Sequence, residues 1–159
     1  MNIKKYTIDN YQGTILTKNI LLFGKIIPNR EAFKIGRQMK EVMLKNGGVG
    51  LAANQVDVPS PIIIVGTRAF YRPEFLSESQ QKIVDWEECL SLPGIRRKIA
   101  RPWWVKFSAI IDERGKRKTY VYEGALARVW MHEFHHLCGL TILDVPEFKG
   151  PNRIDKETD

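Results

Sequence analysis

Apolar residues recur at helical spacing in two segments of the chain, which predicts two helices. The first covers residues 28–45, and the Asn-Gly-Gly of residues 46–48 would end it. The second begins after Gly124 and continues to about Cys138, with Gly139 as its stop. The apolar residues expected on the surface of the second helix near its histidines are Leu126, Val129 and Phe134.

Runs of apolar and β-branched residues bounded by turn residues predict three strands. Residues 61–66 have the composition of a buried strand. Residues 103–111 and 118–122 predict a hairpin, because the charged segment between them contains a turn at Arg114-Gly115. We expect a loop over residues 67–80.

Together these elements predict an α+β fold in which antiparallel strands pack around the second helix. A chain of 159 residues is long enough for one domain with its own core, and no linker or repeat divides it. We therefore expect a single domain over residues 1–159, with residues 145–159 as a loop or frayed tail.

The net charge of +7 raises the question of a nucleic-acid partner. Positive charge favours weak attraction to RNA or a ribosome surface, but no motif for sequence-specific nucleic-acid binding accompanies it. No apolar run is long enough to span a bilayer, and no signal-peptide core follows the N-terminus, so we expect no membrane partner. The two cysteines are too few for a disulfide framework, and a reducing cytoplasm is the expected location, with a single disulfide as the alternative.

The second predicted helix contains H-E-x-x-H at residues 132–136, and the 3 histidines of the chain all lie in this segment. Four residues make a little over one helical turn, so His132 and His136 project from one face and can bind one metal ion. Glu133 then lies beside the metal, where its carboxylate can accept a proton from the attacking water. The alternatives are a chance match and an exposed polar face of the helix.

A catalytic site of this kind needs a third protein ligand. The metzincin pattern H-E-x-x-H-x-x-G-x-x-H would end in histidine where this chain has isoleucine, and no convincing later helix provides a glutamate. Cys89, in the loop-like residues 86–94, is the best candidate; a buried structural thiol is its alternative reading. Cys138 lies about 200° around the helix from His136 and points away. His135 would not aim at the metal together with its neighbour His136.

The glycine-rich segment at residues 47–55 also departs from ordinary helix or strand composition. Its glycines permit unusual backbone angles or the close approach of another chain, and their spacing matches neither a phosphate loop nor a dinucleotide fingerprint. One reading is a turn followed by a strand of small residues. The functional reading is an edge that pairs with an extended peptide, where the side-chain N–H of Gln55 can stabilise an oxyanion.

These segments, in this order and spacing, resemble the motifs of the peptide deformylases. The resemblance rests on G-V-G-L-A-A-N-Q at residues 48–55, E-C-L-S at residues 88–91 and H-E-F-H-H-L at residues 132–137. That family hydrolyses the N-formyl group from the initiator methionine of nascent bacterial-type proteins and releases formate. The resemblance implies a metal-dependent cytoplasmic hydrolase whose partners are N-formylmethionyl nascent peptides, and it is compatible with a compact, divergent or virus-encoded member.

The resemblance also implies a metal site. Cys89, His132 and His136 would hold one divalent ion, which in the family is natively Fe²⁺. Zn²⁺, Ni²⁺ or Co²⁺ suit the same three ligands, so the ligands alone do not select the metal.

Further roles follow from the resemblance by position. Glu133 would act as general acid and base, and Gln55 with the backbone N–H of Leu90 would stabilise the oxyanion. The residues that would contact the substrate are Gly48 and Gly50, which border its strand, and Val49, Leu126 and Val129, which line the methionine pocket.

The chain departs from the family pattern in its motifs and in its tail. Glu88 stands where the family usually has the glycine of E-G-C-L-S. Met131 and His135 replace the Gln and Asp of Q-H-E-x-D-H-L, and a histidine cannot replace the charge of the aspartate. Residues 149–155 do not resemble the C-terminal helix of many bacterial members, so we expect at most a weak association with the ribosome.

Two other functions use the same residues. A small metallopeptidase would use these ligands to cleave internal peptide bonds, and a deformylase-like protein could bind peptide or ribosome without turnover. The presence of Glu133, Gln55 and all three ligands favours an active deformylase.

Overall fold

The computed structural model describes residues 1–150, and the remainder of the predicted tail lies outside this range. The helices are Ile20–Phe23 (α1), Asn29–Lys45 (α2) and Gly124–Leu137 (α3), with short 3₁₀ turns at Ile15–Thr17 and Ala53–Val56. The strands are Gly50–Ala52 (β1), Ile62–Val65 (β2), Arg68–Glu78 (β3), Lys82–Cys89 (β4), Leu92–Pro102 (β5), Trp104–Ile110 (β6) and Arg117–Glu123 (β7). Residues 145–150 contain neither helix nor strand.

The strands form two antiparallel sheets, which confirms the predicted α+β class. A five-stranded sheet has the order β1-β2-β3-β6-β7, and β4 pairs with β5 in a separate hairpin. All four residues of β2 are buried, which agrees with the continuous apolar run that predicted this strand. The predicted hairpin is also confirmed, because β6 pairs with β7 from Trp104↔Glu123 to Ile110↔Arg117.

Both predicted helices are confirmed, and aromatic packing fixes the rotation of the one that carries H-E-x-x-H. The indole of Trp130 stacks on Phe107 of β6, with ring centroids 4.5 Å apart, and on Phe134 of its own helix at 4.6 Å. Gly139 follows α3 in the left-handed region, at φ 80°, as expected for a residue that ends a helix. The large side chains on this face of α3 pack against the five-stranded sheet.

The prediction of a loop at residues 67–80 is wrong, because β3 runs through most of it and pairs with both β2 and β6. The alternation of apolar and polar residues does not reveal this strand, because its pairing with β6 shifts register between Tyr71 and Glu74, around Pro73. The loop-like reading of residues 86–94 is also wrong. This segment is a tight hairpin in which Cys89 pairs with Leu92 across Leu90-Ser91.

Among residues 1–150, no helix is both long and apolar enough to cross a membrane.

Candidate active site

The hairpin of β4 and β5 brings Cys89 against α3. The Sγ atom of Cys89 lies 3.3 Å from Nε2 of His136, which in turn lies 3.2 Å from Nε2 of His132. All three ligand atoms lie within 4.8 Å of one another, and all three residues are almost fully buried. One cysteine sulfur and two imidazole nitrogens at this separation form a donor set that would hold one divalent ion.

The alternative ligands lie elsewhere. Cys138 is half-buried, does not belong to the convergent group, and forms no disulfide with Cys89 in the described part of the chain. The Nδ1 atom of His135 lies 2.8 Å from Nη1 of Arg101, so this ring is engaged away from the other two histidines. Burial and the neighbouring Arg101 lower the pKa of His135 to about 4, so its ring is neutral and accepts this hydrogen bond.

The buried carboxylate of Glu87 contacts the His132 ring on its Nδ1 side, away from the other two candidate ligands. Its Oε1 lies 2.9 Å from Nδ1 of His132, and Arg101 donates to both carboxylate oxygens at 2.8 Å. Burial by itself would raise the pKa of Glu87, but the hydrogen bonds from Arg101 and His132 outweigh it and hold the pKa well below its usual range. An ionised Glu87 fixes the proton of His132 on Nδ1 and leaves Nε2 facing Cys89.

The site favours positive charge at His132. Burial opposes protonation of this ring, but hydrogen bonds with Cys89 and Glu87 outweigh that effect and raise the pKa to about 10. Burial lowers the pKa of His136 well below its usual value, so the second ring is neutral. The same Glu87 carboxylate and Cys89 sulfur would favour a divalent cation at this place, so the residues present fit a metal ion.

Glu133 is next to the ligands and almost fully enclosed. Burial raises its pKa to about 7, even though the nearby His132 acts in the opposite direction. Its Oε2 has no hydrogen-bond partner within residues 1–150. A carboxyl group with this pKa and a free oxygen can both accept and return a proton near neutral pH.

Gln55 lies in the 3₁₀ turn after β1, opposite the hairpin. Its Oε1 accepts a hydrogen bond from the backbone N–H of Ala52 at 2.9 Å, which fixes the orientation of the amide. Its Nε2 is therefore directed at the hairpin, 3.2 Å from Oγ of Ser91 and 3.6 Å from Sγ of Cys89. A fixed N–H donor beside the metal ligands can stabilise negative charge that develops there.

A cavity of about 500 Å³ opens onto these groups. It brings together most of the substrate residues predicted from the sequence, which are Gly48, Val49, Gly50 and Val129, together with Leu90. Leu126 is not among the lining residues and is 46% exposed. The cavity lies between the glycine-rich segment, the hairpin and α3, so it can receive an extended peptide beside the metal ligands.

The family model described as polypeptide deformylase matches residues 5–150. The chain belongs to the polypeptide deformylase family. As a deformylase it removes the N-formyl group from the initiator methionine of nascent polypeptides and releases formate.

Individual relatives support this assignment over most of the chain. A peptide deformylase of Dictyoglomus turgidum is 44% identical over 112 residues, which cover 68% of this chain and 72% of the relative. The structure of a Plasmodium falciparum peptide deformylase in complex with an inhibitor superposes with a TM-score of 0.78 at 32% identity, covering 91% of this chain and 88% of that one. A probable peptide deformylase from Synechococcus phage S-SSM7 gives a TM-score of 0.77 at 29% identity, covering 91% and 99%.

The charged residues that surround the His132 side of the site were not predicted from the sequence. Glu87 and Arg101 form a buried ion pair, and Arg128 joins them from α3 at 2.7 Å. The signal available was weak: the double carboxylate of Glu87-Glu88 beside the candidate ligand. Pattern alone does not distinguish the buried Glu87 from the exposed Glu88.

Proposed function

We propose that Cys89, His132 and His136 hold the catalytic metal of this deformylase, which makes α3 the metal-binding helix around which the strands pack. The convergence of their ligand atoms within 4.8 Å is the observation that carries the proposal. Fe²⁺ is the proposed native ion, and Zn²⁺, Ni²⁺ and Co²⁺ are the alternatives that the same donors accept.

When bound, the metal supplies a Lewis acid that polarises the formyl carbonyl and activates water. Glu133 accepts the proton that the attacking water releases and delivers it to the departing amine. Its buried carboxyl group, with a pKa near 7 and an oxygen without a partner in the described chain, suits both steps.

The negative charge that develops on the formyl oxygen is stabilised by two N–H donors. One is Nε2 of Gln55, which is held in place by the hydrogen bond between its Oε1 and Ala52. The other is the backbone N–H of Leu90 at the tip of the hairpin. Because both donors belong to fixed elements, they need no reorganisation during the reaction.

The substrate lies as an extended strand along Gly48 and Gly50, with its methionine side chain between Val49 and Val129. These residues face the same cavity as Glu133. Gly50 packs closely against Glu133 and Val129, so there is no room for even a methyl group between them. We propose that this crowding admits a formyl group and rejects an acetyl group. Leu126 is outside the lining, so we leave it out of the pocket.

The setting we propose is the cytoplasm, with nascent peptides as substrates and a weak ribosome association. The net charge of +7 supports attraction to ribosomal RNA, which is sequence-independent and screened by salt.

The test is formate release from a formyl-Met tripeptide by protein loaded anaerobically with Fe²⁺, with the matching acetyl-Met tripeptide as control. We expect formate without acetate. Acetate release at a comparable rate would contradict the proposed crowding. Folded, metal-loaded protein that releases neither product would instead indicate a peptide binder without turnover.

A further inference from the structure

Arg128 occupies an unusual place for a charged residue. It lies on α3 one turn before His132, its side chain is only 14% exposed, and it lines the cavity. Its guanidinium donates to Oε2 of Glu87 at 2.7 Å, to the carbonyl of Ile99 at 2.9 Å and to the carbonyl of Ile83. The side chain thus joins α3 to both strands of the hairpin that carries Cys89.

Glu87 receives four donors, two on each oxygen. Its Oε2 accepts from Arg101 and Arg128, and its Oε1 accepts from Arg101 and lies against His132. With all four directions occupied, the carboxylate has one orientation. That orientation sets the plane of the His132 ring, because the ring contacts Glu87 through Nδ1 and faces the other ligands through Nε2.

Arg101 holds both oxygens of this carboxylate, through Nε and Nη2 at 2.8 Å each, and its third nitrogen is used elsewhere. Its Nη1 lies 2.8 Å from Nδ1 of His135, where the family pattern has an aspartate. Arg101 therefore has no N–H left for Glu87, and the second donor to Oε2 comes from Arg128.

We propose that Arg128 is a positioning residue for the metal centre, acting on His132 through Glu87. This inference rests on the metal site proposed above. Arginine suits the role because its planar fork reaches one carboxylate and two carbonyls at once, which the single ammonium of a lysine cannot reproduce. Two other roles are possible for this side chain and are distinguished below. Its apolar stem could contact the substrate, or its hydrogen bonds could only stabilise the hairpin.

The experiment combines Co²⁺ titration with steady-state kinetics in a double-mutant cycle. The variants are R128M, which keeps the apolar stem, E87Q, and the combination of the two. Arg117→Met is the matched control, since Arg117 also bonds a carbonyl, that of Arg72, and pairs with a carboxylate, that of Glu74, but far from Glu87. R128K is included as a milder variant and serves for the same comparison if R128M does not fold.

We expect R128M to weaken Co²⁺ binding by about 10- to 100-fold and to lower kcat with little change in KM. In the E87Q background R128M should weaken Co²⁺ binding by less than about threefold, because the contact of Glu87 with His132 is already altered. R128K should fall between wild type and R128M, and R117M should lower only the unfolding temperature.

Three results would overturn the role of Arg128. If R128M kept its Co²⁺ affinity and had only a lower unfolding temperature, the role of Arg128 would be purely structural. If R128M weakened Co²⁺ binding equally in the wild-type and E87Q backgrounds, Arg128 would not act through Glu87. A higher KM alone would place Arg128 in substrate binding. Failure of the wild-type chain to bind Co²⁺ would instead refute the proposed metal site itself.

Discussion

The Nδ1 atom of His132 lies 2.9 Å from Oε1 of Glu87, although the two residues are 45 positions apart in the chain. The contact joins the H-E-x-x-H helix to the strand that ends in Cys89. Because Glu87 fixes Nδ1, only Nε2 of His132 is available to a metal, and it faces the thiol and the second imidazole. One strand thus provides both a proposed ligand, Cys89, and the group that orients a second one, His132.

Glu133→Gln should reduce formate release by at least about 100-fold while the metal stays bound. The amide keeps the shape of the side chain but cannot accept a proton from water at neutral pH. Formate release and metal content, measured on the same preparation, check both parts. Full activity in the variant would contradict the assignment of Glu133 as the proton carrier.

Cys89→Ala should lose the metal, whereas Cys138→Ala should retain it. Only Cys89 has its Sγ within reach of both imidazoles. Cys138, which is half-buried and outside this group, is the matched control for loss of a thiol. Metal content after dialysis distinguishes the two variants, and equal loss in both would remove Cys89 from the ligand set.

Much of this site could be predicted because its signals are local. The separation of His132 and His136 follows from helix geometry, and the glycines before Gln55 follow from backbone freedom. The two predicted helices have their hydrophobic period, and the hairpin of β6 and β7 has its turn residues, within a short segment. The choice of Cys89 as the proposed metal ligand required an elimination among few candidates, helped by the small number of cysteines and histidines.

The parts that could not be predicted depend on long-range packing. Burial of Glu87 becomes apparent only when β4 and β5 pair and α3 covers them, since its neighbour Glu88 is exposed. Arg128 looks like a polar helix position in the sequence, yet it bonds the carbonyls of two strands. The strand at residues 68–78 is hidden by its register shift, which interrupts the alternation that would have revealed it.

Metal removal should lower the stability of the folded chain. The ligands converge only when the hairpin packs on α3, so a metal ion binds the folded state in preference to the unfolded state. At a free Co²⁺ concentration about 100 times the dissociation constant, we expect the free energy of unfolding to rise by about 2.7 kcal/mol. Thermal unfolding with Co²⁺ and with excess chelator measures the change. Cys89→Ala should show no such difference, and a Co²⁺ effect of equal size in that variant would point to binding elsewhere.

Gly50→Ala should reduce kcat by about 100-fold through displacement of Glu133. A methyl group at this position would lie 2.6 Å from Oε1 of Glu133 and 2.7 Å from Cγ1 of Val129, both closer than normal contact. The backbone of Gly50 is not in the left-handed region, so the effect comes from crowding by the methyl group alone. Overpacking should also cost about 1–3 kcal/mol of stability.

Kinetics of Gly50→Ala with and without Val129→Ala separate the two contacts. The second substitution removes the clash with Val129 but leaves the one with Glu133, so we expect kcat to stay low in the double variant while stability partly recovers. Metal content should be unchanged throughout, because the three atoms nearest to the added methyl group belong to Glu133 and Val129. Recovery of kcat in the double variant would show that Val129, rather than the carboxylate, transmits the effect.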